Sequence, residues 1–395
     1  MERIPLLEHE LQQLDVKRLR RRRRVAHTPC APQVTVDGRR MLAFCSNDYL
    51  GLASHPRLIE ALREGAARYG VGSGGSHLIS GHSHAHALLE ERFAEFLAPF
   101  LEAPRSLFFC SGYMANLSVL TALGGPDAEL FCEELNHASL IDGARLSRAN
   151  VRVYAHGDVD QLEGLLQVRG AKTKVVVTDS VFSMDGHLAP LPQLLSLCER
   201  YGAWLVVDDA HGFGVLGAHG CGALEHFNLR SSNLIYIGTL GKAAGVSGAF
   251  VAAHSTVIEW LLQRARPYIY STAAPPALAH TLLTSLDLIS GAEGSQRRAH
   301  LQGLIAQLQA TLRLRSWKLL LSPTAIQPVI IGSNEEALGA AAALYHRGIW
   351  IPAIRPPTIP ADTARLRITL SAEHTAADVA QLADTLSALE PLANG

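Results

Sequence analysis

The feature that most constrains the fold of this chain is a set of three short apolar segments that alternate with segments of helical periodicity. Residues 174–178, 204–207 and 234–238 are rich in β-branched and other aliphatic residues, which is the pattern of strands buried on both faces of a sheet. Residues 191–201, between the first two segments, have the apolar spacing of a helix. This alternation predicts an α/β fold with a mostly parallel central sheet flanked by helices.

The character of the sequence changes after about residue 290. A long stretch rich in Leu, Gln and Arg at 297–314 has the pattern of a helix, and the segments after it follow a β-α-β-β-α order. That order indicates a small α+β domain. We therefore predict an N-terminal helical arm with short strands at 1–50, a large domain at 51–290 and a small C-terminal α+β domain at 291–395.

Charge and composition argue against several classes of function. The net charge of −1 argues against a nucleic-acid partner, because phosphate binding needs a surplus of Lys and Arg. No segment approaches the roughly 20 apolar residues of a membrane span, and the N-terminus lacks the apolar core of a signal peptide. Six cysteines are scattered without a C-x-x-C pair, which is typical of reduced thiols. We expect a cytoplasmic protein with neither a membrane nor a nucleic-acid partner.

A basic run at residues 17–24 departs from this balanced composition. Runs of this kind can bind nucleic acid or direct localisation. The interpretation we favour is the solvated end of a helix that carries an apolar stripe of leucines. The leucines of that stripe are Leu6, Leu7, Leu11, Leu14 and Leu19.

The residues with the clearest chemistry follow two of the predicted strands. Asp208 and His211 come directly after the second apolar segment, and Lys242 comes just after the third, among small residues. Ligands of open α/β sheets bind at the carboxyl edge of the strands. A desolvated lysine amine attacks carbonyls, including the aldehyde of pyridoxal 5′-phosphate (PLP), and an aspartate at the pyridine nitrogen keeps that ring an electron sink. Each signal alone is weak, but the combination predicts a PLP site.

Sequence motifs extend this pattern over nearly the whole chain. The two strand-end motifs read V-D-D-A-H at 207–211 and T-L-G-K at 239–242. The others are N-D-Y-L-G-L at 47–52, G-V-G-S-G-G-S at 70–76, S-G-Y-M-A-N at 111–116, N-H-A-S at 136–139, S-V-F-S-M-D-G at 180–186, Y-S-T at 270–272 and R-P-P-T-I-P at 355–360. With these motifs the chain resembles the fold-type I PLP enzymes and, among them, the α-oxoamine synthase family.

The resemblance implies a fold-type I PLP transferase that works as a homodimer with shared active sites. The catalytic residues it implies are Lys242, which attaches PLP and moves the Cα proton, Asp208 at the pyridine nitrogen, and His137, which stacks on the ring. The other PLP contacts it implies are Ser183 and His211 at the phenolic oxygen, Gly112, Tyr113 and Thr239 at the phosphate, and Ser271 and Thr272 at the phosphate of the neighbouring subunit. The substrate contacts it implies are His137, Arg21 and Thr358.

The segment at 355–360 differs from its counterparts in sibling enzymes. It implies that L-alanine condenses, with loss of carbon dioxide, with a pimeloyl thioester of either CoA or acyl carrier protein. The alternative within the family is glycine with acetyl- or succinyl-CoA, or serine with a long acyl-CoA. An aminotransferase of the same fold, with Arg365 or Arg367 as its carboxylate clamp, and a non-catalytic scaffold subunit are further alternatives.

The resemblance adds a third interpretation of the basic run. Ungapped register assigns the acyl-substrate contact to Arg21, although five consecutive arginines at 20–24 leave the register uncertain by at least one residue. The excess positive charge also suits an anionic carrier, either the phosphates of CoA or an acidic carrier protein.

A histidine-rich stretch lies close to the glycine-rich motif. It comprises His77, His82, His84 and His86, and His77 departs from the Gly or Arg that the family resemblance leads us to expect. Histidine-rich tracts can bind metals. No cysteine or acidic residue is interleaved before Glu90, so we predict no metal site here.

Overall fold

The computed structural model describes residues 3–167 and 170–390 of the 395-residue chain. Its helices are α1 Arg3–Val16, α2 Pro56–Tyr69, α3 His84–Leu97, α4 Gly112–Leu123, α5 Ala138–Leu146, α6 Val159–Leu166, α7 Leu191–Tyr201, α8 Ala223–His226, α9 Ser255–Arg264, α10 Arg266–Tyr270, α11 Pro276–Ser290, α12 Ala292–Thr311, α13 Asn334–His346 and α14 Ala376–Leu389. Its strands are β1 Gln33–Val36, β2 Arg39–Ala43, β3 Pro104–Phe109, β4 Ala128–Glu133, β5 Asn150–Tyr154, β6 Thr173–Asp179, β7 Trp204–Asp208, β8 Leu234–Thr239, β9 Ala249–His254, β10 Lys318–Leu319, β11 Ile326–Gly332, β12 Ile349–Trp350, β13 Ala353–Ile354 and β14 Ala364–Thr369. The chain forms two compact units, a large unit at 48–183 and 187–299 and a small unit at 1–47, 184–186 and 300–395.

The large unit is built on a seven-stranded sheet in the order β3-β9-β8-β7-β6-β4-β5. Strand β9 runs antiparallel to both of its neighbours, and all other pairs are parallel. Val175, Val176 and Val177 in β6 have no exposed surface, and neither do Val206 and Val207 in β7. Helices therefore cover both faces of these strands, which confirms the predicted α/β architecture.

Helices of the large unit pack closely enough to require small residues. A Cβ atom at Gly65 of α2 would lie 3.0 Å from the Cα of Ala277 in α11, so glycine permits this approach of the two helices. Among the residues that the structure describes, no helix has both the length and the apolar character needed to span a bilayer. The parallel strands β6, β7 and β8 end at Asp179, Asp208 and Thr239, which brings these three residues to one edge of the sheet.

The small unit contains two smaller sheets, in the orders β1-β2-β12 and β10-β11-β14-β13. The hairpin between β1 and β2 turns at Asp37 and Gly38, whose φ angles of 48° and 77° are both positive. Two-residue hairpin turns need positive φ angles, and Asp-Gly adopts them readily. The four-stranded sheet is antiparallel throughout. With α13, α14 and the part of α12 from His300 onward it forms the predicted α+β arrangement.

One predicted strand of the small unit is divided in two. The segment at 349–353 forms β12 and β13, which belong to different sheets. Pro352 lies between them and has no N–H to donate to a strand ladder. The continuous apolar segment is therefore divided into two short strands.

The prediction that the basic run ends a helix is wrong. Helix α1 stops at Val16, and Arg18 has a φ angle of 57°, outside the helical region. Arg20 pairs with Asp15 at 2.6 Å and Arg24 pairs with Asp37 at 2.8 Å. These two carboxylates hold the arginines in a non-helical segment, where they avoid the like-charge repulsion between helical neighbours three or four residues apart.

Candidate active site

Lys242 and His211 lie together at the carboxyl edge of the large sheet. Lys242 follows β8 and His211 follows β7, and Nζ of the lysine is 2.8 Å from Nε2 of the imidazole. On the other side of the ring, Nδ1 of His211 is 2.6 Å from the Tyr49 hydroxyl. These contacts are satisfied when Lys242 donates to Nε2 and the ring proton on Nδ1 is donated to the Tyr49 oxygen. The imidazole therefore orients the lysine amine.

Asp208 is the last residue of β7 and is 6% exposed. Its Oδ2 accepts a hydrogen bond from Asn116 Nδ2 at 2.6 Å, and its Oδ1 accepts one from the Ala210 N–H at 2.9 Å. Asn116 also donates to the Ser139 hydroxyl at 2.8 Å. Hydrogen bonds at both oxygens fix the orientation of this carboxylate. A group that binds a single ligand atom needs such a fixed orientation.

His137 precedes helix α5 and is held through both its backbone and its ring. Its N–H donates to Oδ2 of Asp179 at 2.7 Å, and its Nδ1 accepts from the Ser139 N–H at 3.3 Å. An amide N–H can only donate, so the proton of the neutral imidazole is on Nε2. Desolvation lowers the pKa of His137, with Lys242 acting in the same direction and Asp208 opposing it. The ring is therefore a neutral donor at Nε2.

Asp179 is a second buried carboxyl beside Asp208. The two residues are register partners on β6 and β7. Burial, together with the negative charge of Asp208, raises the pKa of Asp179 well above its usual range. Its Oδ2 accepts the His137 N–H at 2.7 Å, so Asp179 anchors the backbone of His137.

Asp209, next to Asp208, has different partners. It accepts hydrogen bonds from the hydroxyl groups of Ser180 and Tyr236 and from the Ala223 N–H. Burial raises the pKa of Asp209 to about 7, although its hydrogen bonds oppose the shift. The two adjacent aspartates thus differ in role, since Asp209 ties together the loop that carries His211.

The residues predicted to hold a phosphate group come together at the N-terminus of α4. The Ser111 hydroxyl caps this helix by accepting a backbone N–H at 3.2 Å. A Cβ atom on Gly112 would lie 3.3 Å from the Thr239 hydroxyl, so the space beside Thr239 depends on glycine. Tyr113 is 45% exposed and donates to Asp142. Free backbone N–H groups at a helix N-terminus form a ready anion site.

The remaining predicted PLP contacts are less closely tied to these residues. Ser183 is half-buried in the loop between β6 and α7. Ser271 and Thr272 follow α10, where Thr272 bridges to Ser76 and its carbonyl accepts from the Cys110 thiol at 3.6 Å. Within the described ranges 3–167 and 170–390, no side-chain hydrogen bond links Ser271 or Thr272 to Lys242.

The two predicted substrate contacts belong to the small unit. Arg21 lies in the exposed segment after α1. Thr358 is exposed, and its N–H donates to the Arg355 carbonyl at 3.2 Å, which closes a four-residue turn. That turn places Arg355 and Thr358 side by side in the small unit.

Three residues of the site were missed in the sequence-based prediction. They are Tyr49, Asn116 and Asp179, which contact His211, Asp208 and His137 respectively. Tyr49 and Asn116 stand in the motifs at 47–52 and 111–116, and Asp179 ends an apolar strand next to β7. The position of Asp179 at a strand end is the signal that was available, because parallel strand ends meet at one edge of the sheet.

The structure gathers three histidines of the histidine-rich stretch. Ligating nitrogens of His77, His82 and His86 all lie within 4.8 Å of one another. The Nδ1 atoms of His77 and His82 are 2.9 Å apart. His86 already uses both nitrogens, since Nδ1 accepts the Ser83 N–H at 3.1 Å and Nε2 donates to the Ala274 carbonyl at 2.9 Å. A third metal ligand here would require His86 to give up a helix cap, and the absence of a metal site stays a prediction.

Comparison with known proteins adds to this geometry. The family model for class I and II aminotransferases matches residues 39–386. The 8-amino-7-oxononanoate synthase of Janthinobacterium sp. (strain Marseille) is 70% identical over 384 residues, which cover 97% of this chain and 98% of that protein. The chain belongs to the 8-amino-7-oxononanoate synthase family. The family's enzyme from Bordetella petrii is 66% identical over 390 residues, 99% of this chain and 98% of that protein.

Solved structures of 8-amino-7-oxononanoate synthase and serine palmitoyltransferase share the fold. A serine palmitoyltransferase variant from S. paucimobilis with a bound PLP–myriocin aldimine has a TM-score of 0.89 at 28% identity, covering 97% of this chain and 96% of that one. The 8-amino-7-oxononanoate synthase of Francisella tularensis has a TM-score of 0.74 at 32% identity, covering 88% and 97%. The predicted fold-type I PLP transferase fold is confirmed, and the chain is a PLP-dependent enzyme of the family that serves biotin biosynthesis.

The residues of the large unit fit PLP on three counts. Lys242 offers an oriented amine at the sheet edge. Asp208 offers a buried carboxylate for the pyridine nitrogen. Gly112 leaves room beside Thr239 for a phosphate at the N-terminus of α4, and a Cβ atom there would occupy part of that room.

Proposed function

We propose that the chain condenses L-alanine with a pimeloyl thioester of CoA or acyl carrier protein, giving 8-amino-7-oxononanoate, carbon dioxide and the free thiol carrier. The observation that carries this proposal is the Lys242–His211 contact of 2.8 Å beside Asp208, in a chain 70% identical to an 8-amino-7-oxononanoate synthase. The carboxyl group of alanine leaves as carbon dioxide, and the thioester bond breaks as the new carbon–carbon bond forms.

PLP, when bound, supplies an electron sink that stabilises negative charge at Cα of the amino acid. Lys242 would hold the cofactor through its amine, and its Nζ would accept the Cα proton of the amino acid. His211 sets the direction of that amine through the contact at Nε2. Asp208, fixed at both oxygens, would bind the pyridine nitrogen and keep that nitrogen protonated.

His137 provides a donor for the acyl substrate. Since its Nδ1 accepts from Ser139, Nε2–H is free to stabilise charge developing on the thioester oxygen. The same ring would stack on the pyridine of the cofactor. Ser183 and His211 are proposed to contact the phenolic oxygen, and Gly112, Tyr113 and Thr239 the phosphate.

The proposal includes a homodimer in the cytoplasm. Ser271 and Thr272, which follow α10, are proposed to reach the phosphate bound by the partner copy. Arg21 and Thr358 are proposed to contact the acyl substrate. Sedimentation of the holoenzyme would measure its mass against the 42.5 kDa of one chain.

A substrate panel tests the reaction. Glycine, L-alanine and L-serine are each combined with acetyl-, succinyl-, pimeloyl- and palmitoyl-CoA, and the free thiol released is measured. We expect the highest kcat/KM for L-alanine with pimeloyl-CoA. The TM-score of 0.89 to a serine palmitoyltransferase makes serine with palmitoyl-CoA the second candidate, and a preference for that pair would overturn the proposal.

A separate test addresses an aminotransferase activity. An aminotransferase converts its cofactor to the amine form with an amino acid alone, whereas the proposed enzyme needs both substrates to turn over. Arg365, one candidate for a carboxylate clamp, pairs with Asp185, and Arg367 donates to Asn47 at 3.1 Å. Stoichiometric pyridoxamine phosphate from L-alanine alone would contradict the proposed reaction.

A further inference from the structure

Two side chains of the large unit, Asn116 and Ser139, connect Asp208 to His137 through hydrogen bonds. Asn116 Nδ2 lies 2.6 Å from Oδ2 of Asp208 and 2.8 Å from the Ser139 hydroxyl oxygen. That oxygen lies 2.7 Å from Nδ1 of His137. Asn116 and Ser139 are each 1% exposed, so water has little access to these bonds. We call this connection the Asn116–Ser139 bridge.

The hydrogen bonds at the His137 end of the bridge have a definite direction. The Ser139 N–H lies 3.3 Å from Nδ1 of His137, and an amide N–H can only donate, so Nδ1 is an acceptor. The Ser139 hydroxyl therefore donates its single proton to the same Nδ1. Its oxygen remains able to accept the N–H of Asn116. The donors thus run from Asn116 through Ser139 to His137.

The carboxylate of Asp208 fixes the orientation of the Asn116 amide. A carboxylate oxygen only accepts hydrogen bonds, so it faces the Nδ2 group and not Oδ1. In this orientation Oδ1 of Asn116 is buried and has no hydrogen-bond partner within the described part of the chain. An unsatisfied buried acceptor is destabilising. The structure keeps the amide orientation that links Asp208 to Ser139 although Oδ1 stays unsatisfied.

Close packing of two helices holds the bridge in place. Asn116 belongs to α4 and Ser139 to α5. A Cβ atom on Gly143 of α5 would lie 3.2 Å from the Asn116 carbonyl oxygen and 3.1 Å from Leu120, so glycine permits this approach of the helices. Side chains on rigid, closely packed elements keep their hydrogen-bond geometry. The bridge is therefore built to hold its two ends in a fixed relation.

We propose that Asn116 and Ser139 are positioning residues that couple the group at the pyridine nitrogen to the group that donates to the acyl substrate. The roles of those end groups, Asp208 and His137, rest on the proposed function, whereas the coupling is a property of the protein's own side chains. Hydrogen bonds in a chain polarise one another, and a buried site strengthens the effect. Loss of either middle residue is therefore detected at both ends, including the end that it does not bind.

The first measurement follows His137 when Asn116 is changed. Nitrogen NMR of the holoenzyme with labelled histidine rings distinguishes a protonated from an unprotonated ring nitrogen, and the His137 signals are identified by their loss in His137→Gln. We expect Asn116→Ala to shift the Nδ1 signal of His137, because the Ser139 hydroxyl loses the donor that orients it. Ser139→Ala should shift the same signal further, because it removes the hydroxyl itself.

The second measurement follows the Asp208 end in Ser139→Ala, a variant that lacks one oxygen atom. The pH midpoint of the visible absorbance of bound PLP depends on the positive charge at the pyridine nitrogen, which Asp208 would stabilise. A less firmly held carboxylate stabilises that charge less, so the midpoint should move to higher pH. In the same variant kcat should fall about 3- to 10-fold, because one hydrogen bond is lost.

Ser118→Ala is the matched control for the loss of a buried serine hydroxyl. Ser118 lies on α4, has no exposed surface, and its hydroxyl has no hydrogen-bond partner among the residues described. This variant should leave the His137 signals and the absorbance midpoint unchanged. The double variant Asn116→Ala/Ser139→Ala should lose less in kcat than the product of the two single effects, because both residues act through one bridge.

Either of two results would overturn the coupling. One is a His137 signal in Asn116→Ala that matches the wild type. The other is an absorbance midpoint in Ser139→Ala that matches the wild type, and this result decides the matter if Asn116→Ala does not fold. Both measurements are made without substrates, so a substrate panel that contradicts the proposed reaction is distinguishable from a failure of the coupling.

Discussion

The Nζ atom of Lys242 lies 2.8 Å from Nε2 of His211, and the other ring nitrogen of His211 lies 2.6 Å from the Tyr49 hydroxyl. A tyrosine near the start of the large unit thus orients the amine at the end of β8 through one imidazole. The direction of the amine matters because, in the proposed reaction, the same nitrogen holds the cofactor and later receives a proton. Because Tyr49 acts on the amine through His211, we expect the loss of activity on mutation to decrease from Lys242 to His211 to Tyr49.

Replacing Lys242 with alanine should abolish turnover and covalent attachment of PLP. Borohydride reduction followed by mass spectrometry should show a cofactor adduct on the wild-type chain and none on the variant. Lys172→Ala is the matched control, since Lys172 is exposed and pairs with Asp127. A cofactor adduct that persists in Lys242→Ala would contradict the role assigned to this lysine.

His211→Asn and Tyr49→Phe should reduce activity by different amounts. We expect His211→Asn to lower kcat about 10- to 100-fold, because the amine loses its direct partner, and Tyr49→Phe to lower it about 2- to 10-fold, because one neutral hydrogen bond is lost. Steady-state kinetics with both substrates saturating measures the two effects. A larger loss in Tyr49→Phe than in His211→Asn would argue against the proposed order of contacts.

Mutation of the two adjacent aspartates should have different effects, one on kcat and the other on the free energy of unfolding. Asp208→Asn removes the charge proposed to bind the pyridine nitrogen and should lower kcat by about 100-fold or more, with little change in the free energy of unfolding. Asp209→Asn removes an acceptor for Ser180, Tyr236 and Ala223 and should lower the free energy of unfolding by about 1–3 kcal/mol. Urea denaturation and single-turnover kinetics of both variants distinguish the two roles. Similar kinetic losses in both would refute the distinction.

The histidine cluster should make the protein less stable in acid. Burial lowers the pKa of His77 to about 3 and that of His86 to about 4. Below pH 6.5 the unfolded chain binds protons at these imidazoles while the folded protein does not, so acid favours unfolding. Each histidine contributes a loss of roughly 1 kcal/mol per pH unit from about pH 6 down towards its folded-state pKa.

Denaturation of wild type and His77→Gln at pH 7.5 and 5.5 measures this dependence. The variant should lose less of its free energy of unfolding between the two pH values than the wild type does. His84→Gln is the control, because His84 is exposed at the start of α3. Equal pH dependence in wild type and His77→Gln would rule out a titrating role for His77.

Much of the architecture and part of the site could be predicted from sequence. Continuous apolar segments indicate buried parallel strands, and parallel strands place their carboxyl ends at one edge, so Asp208, His211 and Lys242 were expected to lie together. The structure confirms that expectation for Lys242 and His211, which are in direct contact. The local sequence pattern was enough to predict their positions, because each of these residues lies at or near the end of a strand.

The partners of these residues depended on long-range packing. Asn116 reaches Asp208 across 92 positions of sequence, and Tyr49 reaches His211 across 162. No local periodicity encodes such pairs. The entropy cost of closing a loop changes little with its length, so many different distant pairings have similar costs. The helix predicted to include the arginine run failed for the same reason, since Asp37, which pairs with Arg24, lies on a later hairpin.

The sequence by itself determined which reactive residues follow which strand: an aspartate and a histidine come at the end of one strand, and a lysine comes after the next. Only the tertiary structure decided which distant groups hold Asp208 and Asp209, which group binds Nδ1 of His137 and which arginines of the run pair with Asp15 and Asp37. The physical reason is that strand formation follows local side-chain pattern, whereas burial and hydrogen bonding depend on which distant groups share the same volume.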